Sequence, residues 1–223
     1  MPAASLMQRF GLAPDEIERR SLALVEDAIP SCSGWTSEAR EVVKRMVYAA
    51  GDLALAGLAR VHPDAVEAGL QAIRSRAPIV CDVRMVAAGL RAYEGSVHVA
   101  LDVPLPPLER SDPAGWHSKR LGEGTLTRTA AGMRALENEL DGGIAVIGNA
   151  PTALLTLLDM IDEGRCQPAL IIGTPVGFVA AAESKQALLE RDLPAITVEG
   201  TRGGSAVAAA AMNALLILAA GRR

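Results

Sequence analysis

The strongest constraint on the fold of this chain is an order that recurs three times: an apolar run, a glycine-bearing turn, then a helical stretch. The runs at 144–147, 169–172 and 195–198 pass through GNAPT (148–152), GTPVGF (173–178) and GTRGGS (200–205). They lead into stretches of helical periodicity at 151–163, 179–190 and 205–219. Two more β-branched runs lie at 79–83 and 97–101. Strands separated by helices cannot pair through a tight hairpin, so they run parallel through right-handed crossovers. The expected fold class is therefore α/β: a doubly wound, mostly parallel five-stranded sheet with helices on both faces, flavodoxin-like. Earlier segments read as helices at 14–28, with Asp15 and Glu16 in the first turn, at 37–50 and at 63–76. Composition agrees. Half of the 223 residues are hydrophobic, yet the chain has only two Trp, two Tyr and two Phe, so Ala, Leu, Val and Ile fill its interior, as in helices packed on a parallel sheet.

Residues 1–223 read as a single domain. Residues 104–123 carry four prolines and little periodicity, and are expected to form a long surface loop. The formal net charge is −4, without Lys/Arg clusters, which argues against a nucleic-acid partner. Cys32, Cys81 and Cys166 are far apart and show no paired spacing, so they read as thiols of a reducing compartment. His62, His98 and His117 read as structural residues, and no metal site is expected. Residues 206–220 are apolar except for Asn213 but fall short of the ~20 residues that span a bilayer. That stretch is expected to be a helix buried between other elements or at a subunit interface. A soluble cytoplasmic homodimer, with no membrane partner, is the expectation.

All three glycine turns should lie on one edge. In a parallel sheet the carboxyl ends of the strands line the ligand crevice, and free N–H groups of helix starts there favour carboxylates or phosphates. The chain holds neither GxGxxG nor GxxxxGK[ST], so the turns alone point to an anionic ligand without naming a nucleotide.

Longer strings narrow the reading. IGNAPTALLTLLDM from Ile147, GTPVGFVAAAESK from Gly173 and GGSAVAAAAMN from Gly203 resemble the precorrin-8X methylmutase family of cobalamin biosynthesis. ERRS ending at Ser21, RMVYAAGD from Arg45, PIVCDVRMVAAGL from Pro78 and TRTAAGM from Thr127 extend the resemblance from about Glu18 to Asn213. It implies an isomerase that moves a methyl group from C11 to C12 of a corrinoid ring, acting on precorrin-8X or cobalt-precorrin-8. The product is hydrogenobyrinic acid or its cobalt counterpart, cobyrinic acid. The resemblance also implies a homodimer and no separate cofactor. Tyr48 and Arg128 fall on the family's catalytic positions. Arg20, Ser21, Asp82, Arg84, Asn149, Thr152, Pro175, Val176, Gly177, Phe178, Glu183, Lys185, Arg202, Gly203, Gly204 and Ser205 fall on motif positions that would surround the substrate.

Tyr48 stands where the family has a proton-donating His. A general acid near the migrating carbon withdraws electron density and favours the shift; tyrosine as a residue type is the weaker acid by ~3.5 pKa units. Arg84 stands where the family often has an acidic or amide residue, and Thr201-Arg202 where it commonly has Arg one place earlier. Both arginines read as binding substrate carboxylates or supporting a phenolate, or else as marks of a changed substrate. The alternatives are a non-catalytic corrinoid-binding relative and a doubly wound domain for an unrelated anion.

Overall fold

Alternation of side chains along four central strands divides the interior in two, and the computed structural model, which describes residues 11, 13–30, 34–104 and 126–221, shows both halves. The strands are β1 (Ala59–Val61), β2 (Ile79–Cys81), β3 (Val97–Val99), β4 (Ile144–Ile147), β5 (Leu170–Gly173) and β6 (Ala195–Val198). Ile79, Cys81, Ile144, Val146, Leu170, Ile172, Ile196 and Val198 point into one core. Val80, Ala145, Ile147, Ile171 and Ala195 point into the other. A strand's side-chain period of two sends neighbours to opposite faces, and helices cover each face, so these strands are apolar on both sides.

The sheet order is β1-β6-β5-β4-β2-β3. The five expected runs all form strands, and they pair in parallel. The expectation of a five-stranded sheet is corrected by β1, which adds a sixth, antiparallel strand at the edge, with Ala59 opposite Val198 and Val61 opposite Ile196. It is only three residues long, too short for its Ala-Arg-Val alternation to stand out in the sequence; Arg60 pairs with Glu199 at 2.7 Å. The sheet is therefore mixed.

The first core is covered by helices α1 (Pro14–Ala28), α2 (Ser37–Ala50), α3 (Ala65–Arg74), α4 (Arg84–Ala88) and, last in the chain, Ser205–Ala219. The other lies under α5 (Arg128–Ala135), α6 (Pro151–Asp162) and α7 (Ala181–Leu189); Ser205–Ala219 is then α8. Local chemistry sets several ends. Thr36 accepts the Ala39 N–H at the start of α2, Pro151 opens α6, and Gly51 ends α2 in the left-handed conformation at φ 62°. Helix α8 packs against α2, α3, α4, β4 and β5, and its alanines let it approach closely. Most of its residues are buried between these elements, while Leu216, Ile217, Leu218 and Ala219 at its end stay partly exposed. None of the described helices is long and apolar enough to cross a membrane. Cys32, His117 and all but the first residue of the 104–123 loop lie outside the described residues.

Candidate active site

The site begins with a buried carboxylate. Asp82 follows β2, has no exposed surface, and receives four backbone N–H groups. Its Oδ1 accepts from Val83 at 2.9 Å and Gly148 at 3.2 Å; its Oδ2 accepts from Asn149 and Ala150, both at 2.7 Å. Burial pushes the carboxyl upward in pKa while these donors pull it down. A carboxylate with both oxygens filled by N–H groups has no lone pair aimed at a ligand. Asp82, one of the expected substrate-binding residues, is thus buried beneath the GNAPT turn and shapes it.

That turn presents Asn149, exposed, and Thr152 at the start of α6. The Thr152 hydroxyl lies 2.8 Å from that of Thr127, whose oxygen also caps α5. Arg128, the first residue of α5, is consequently held beside the GNAPT turn with its side chain exposed.

The second and third turns lock onto one another. The Gly204 N–H donates to the Thr174 carbonyl at 2.8 Å, and the Gly177 N–H to the Thr201 carbonyl at 3.2 Å. Gly203 has φ 146°, and a Cβ there would come within 2.2 Å of the Thr174 oxygen, so this position admits only glycine. Gly148 packs against the start of α8, where a Cβ would lie 2.7 Å from the Ser205 Cα. Lys185, in α7, is fully buried and donates from Nζ to the Arg202 carbonyl at 2.5 Å; desolvation lowers its pKa to about 8. Lys185, another of the expected substrate-binding residues, thus braces the third turn. Ser205 and Pro175 are buried, while Val176 and Phe178 project outward.

Helix α2 reaches this edge through an ion pair, Arg202 Nε to Asp52 Oδ2 at 2.7 Å. Tyr48 sits one helical turn before Asp52, is 41% exposed, and its hydroxyl has no hydrogen-bond partner among the described residues. Arg84, after β2, is exposed and pairs with Asp102 beyond β3 at 2.6 Å. Four of the described strands, β2, β4, β5 and β6, therefore end in chemistry on one edge, flanked by Tyr48.

Three expected residues stand apart from that cluster. Arg20 bonds Glu16, and the Ser21 hydroxyl donates to the Ile17 carbonyl, both within α1. Helix α1 does approach α2, through Glu18 and Arg45 at 3.0 Å. Glu183 lines a shallow hollow of about 420 Å³ on the outer side of α7, with Gly200 at its rim. Asp52 and Thr127 were missed by sequence reasoning although both lie inside quoted strings, RMVYAAGD and TRTAAGM; a short polar residue just after a helix-ending glycine, or just before a helix start, was the available signal.

Cys81 and Cys166 are buried, and that burial pushes their thiols up to about 12 and about 11. The Nδ1 of His62 accepts the Asp64 N–H and its Nε2 meets Asp192 at 2.9 Å, the structural role expected of it. Among the described residues no group of three or more His, Cys, Asp or Glu is arranged to hold a metal ion. What the edge offers is exposed apolar surface, the exposed Arg128, the half-exposed Arg202 with its partner Asp52, and a phenol. That combination suits a large, mainly apolar ligand bearing peripheral carboxylates.

Comparison with known proteins gives one consistent result. The family model described as precorrin-8X methylmutase matches residues 16–218. The cobalt-precorrin-8 methylmutase of Priestia megaterium is 41% identical over 207 residues, covering 92% of this chain and 88% of its own length. The precorrin-8X methylmutase of Pseudomonas aeruginosa is also 41% identical, covering 89% of this chain and 93% of its own. The crystal structure of the precorrin-8x methyl mutase from Thermus thermophilus superposes with a TM-score of 0.75 at 37% identity, covering 92% of this chain and 98% of that one.

Proposed function

This chain belongs to the precorrin-8X methylmutase family, and from that premise we propose how its own residues carry out the isomerase reaction. The reaction moves a methyl group from C11 to C12 of precorrin-8X, or of its cobalt-containing counterpart, to give hydrogenobyrinic or cobyrinic acid. No atom enters or leaves the substrate. The protein must hold the macrocycle and withdraw electron density near the migrating carbon, which a positioned hydrogen-bond or proton donor achieves. Tyr48 is that donor. The observation that carries this assignment is the Arg202–Asp52 pair, which fixes the end of α2 to the glycine-turn edge with Tyr48 partly exposed and its hydroxyl without a partner among the described residues.

Around it, Arg128 takes a substrate side-chain carboxylate beside Asn149 and Thr152, while Arg84 and Arg202 serve others at the rim. Val176, Gly177 and Phe178, with the backbone of Gly203, Gly204 and Ser205, supply the apolar wall and amides. Arg20, Ser21 and Glu183 belong to the outer margin. The non-catalytic alternative is not favoured, because relatives matching about nine-tenths of the chain bear methylmutase names.

The same edge also suits a homodimer. Phe178 is 94% exposed, Val179 84% and Met85 72%, apolar surface that a second copy would cover. Light scattering should give twice the chain mass of 23.2 kDa, and a stable monomer at micromolar concentration would refute the dimer. The free thiols Cys81 and Cys166 suit the cytoplasm. Incubation of the protein with precorrin-8X, metal-free and cobalt-containing, tests the activity by the spectrum of the coloured corrinoid product. Binding of product without conversion of either substrate would reject the enzymatic reading.

A further inference from the structure

Arg202 is fixed at both ends although its side chain is half exposed. Its carbonyl receives the buried Lys185 ammonium, and its neighbours are held through Gly177 to Thr201 and Gly204 to Thr174. Its guanidinium meets Asp52 through Nε alone, so among the described residues the Nη1 and Nη2 edge has no partner. Asp52 is itself immobilised. It follows Gly51, the left-handed residue that ends α2, and its second oxygen, Oδ1, accepts the Ala54 N–H at 3.0 Å. One carboxylate oxygen thus anchors the loop, and the other anchors the arginine.

An exposed arginine gains little from a single surface ion pair. A guanidinium gripped at Nε, however, presents its two remaining nitrogens as a planar fork that matches a carboxylate in bidentate fashion. We infer that Asp52 is a positioning residue that aims the Nη edge of Arg202 at a peripheral carboxylate of the macrocycle. The inference rests on the corrinoid reading of this edge. It assigns a task to Asp52, the last residue of the RMVYAAGD string, and it explains why Arg202 is tied to the segment that follows α2.

In Asp52→Asn the amide oxygen can still accept the Ala54 N–H, so the substitution removes the charged contact to Arg202 and a double-mutant cycle isolates that contact. Equilibrium binding of the corrinoid product and steady-state turnover are measured for wild type, Asp52→Asn, Arg202→Ala and the double variant. Arg202→Ala should weaken product binding roughly 10- to 100-fold, the range of a lost charge-assisted pair. Asp52→Asn should raise KM and the product Kd about 3- to 10-fold with kcat changed by less than about threefold, since positioning for binding is lost and not the donor. In the Arg202→Ala background, Asp52→Asn should have no further effect. Additive effects, tighter binding in Asp52→Asn, or a fall in kcat at constant KM would each overturn the assignment. Those results require a wild-type protein that binds corrinoid; one that neither binds nor converts it overturns the functional reading and this inference together.

Discussion

Replacing Asp82 by Asn changes one oxygen to an NH2 group and should disrupt the GNAPT turn at its root. In the less costly orientation the amide oxygen stays with the Asn149 and Ala150 N–H groups at 2.7 Å. The new NH2 then faces two further donors, Val83 and Gly148, which had been 2.9 and 3.2 Å from the lost oxygen. Two backbone N–H groups are left without acceptors, Gly148 in a buried setting and Val83 in a partly buried one. Each such orphan costs ~1–3 kcal/mol, so the variant should lose ~2–6 kcal/mol. That is a large share of the ~5–15 kcal/mol typical of a whole domain. Urea unfolding measures the loss directly, and melting should fall by on the order of 10 °C. Native-state hydrogen exchange adds a local signature: the Gly148, Asn149 and Ala150 amides should exchange faster than the β4 amides before them. A stability change under about 0.5 kcal/mol, with those amides still protected, would refute the account of Asp82 as the organiser of the turn.

Two other outcomes follow from single side chains. Arg128→Ala should raise KM or weaken product binding by the equivalent of ~1.5–3 kcal/mol with a smaller change in kcat, because a carboxylate pair is made in ground and transition states alike; unchanged corrinoid affinity would return Arg128 to a surface role. Lys185 has its pKa lowered from 10.5 to about 8, so between those values the unfolded chain binds the extra proton and the lysine's contribution to stability rises with pH. Wild type should therefore gain stability relative to Lys185→Met from about pH 8 upward, measured by denaturant melts at each pH. The loss expected as the raised Cys81 thiol leaves its buried neutral state is common to both proteins and cancels in that difference. A flat or falling difference would contradict the burial of Lys185.

The parts of the fold that the sequence announces are those governed by local periodicity. Helices at 14–28, 37–50 and 205–219 coincide with the expected spans, because proline starts the first, Thr36 caps the second, and amphipathic or all-apolar patterns sustain all three. Strand β1 escaped notice because an edge strand of three residues owes its existence to the ladder with β6, a partner more than a hundred residues away. Helices α4 and α5 escaped for a related reason: five and eight residues give too few turns for a period to show. At the site, the glycine turns were legible since Gly and Pro report backbone geometry directly. The duties of Asp82 and Lys185 were not. A motif position shows that a residue type is wanted, whereas burial decides whether it meets a ligand or a neighbouring turn, and burial is set by tertiary packing. The same holds for Arg202, whose partner Asp52 lies in another segment.

The central claim is that Tyr48 does in this protein what a histidine does in its family. Tyr48→Phe removes the hydroxyl and keeps the ring, and because no described residue bonds that hydroxyl, folding and corrinoid binding should be unaffected. The decisive measurement is the single-turnover rate of methyl migration in Tyr48→Phe, with product binding measured on the same preparation. The account predicts a rate lower by ~10²–10⁴-fold at unchanged affinity, the range expected when a general acid is lost. A loss below about threefold would contradict it and reduce Tyr48 to a wall of the pocket.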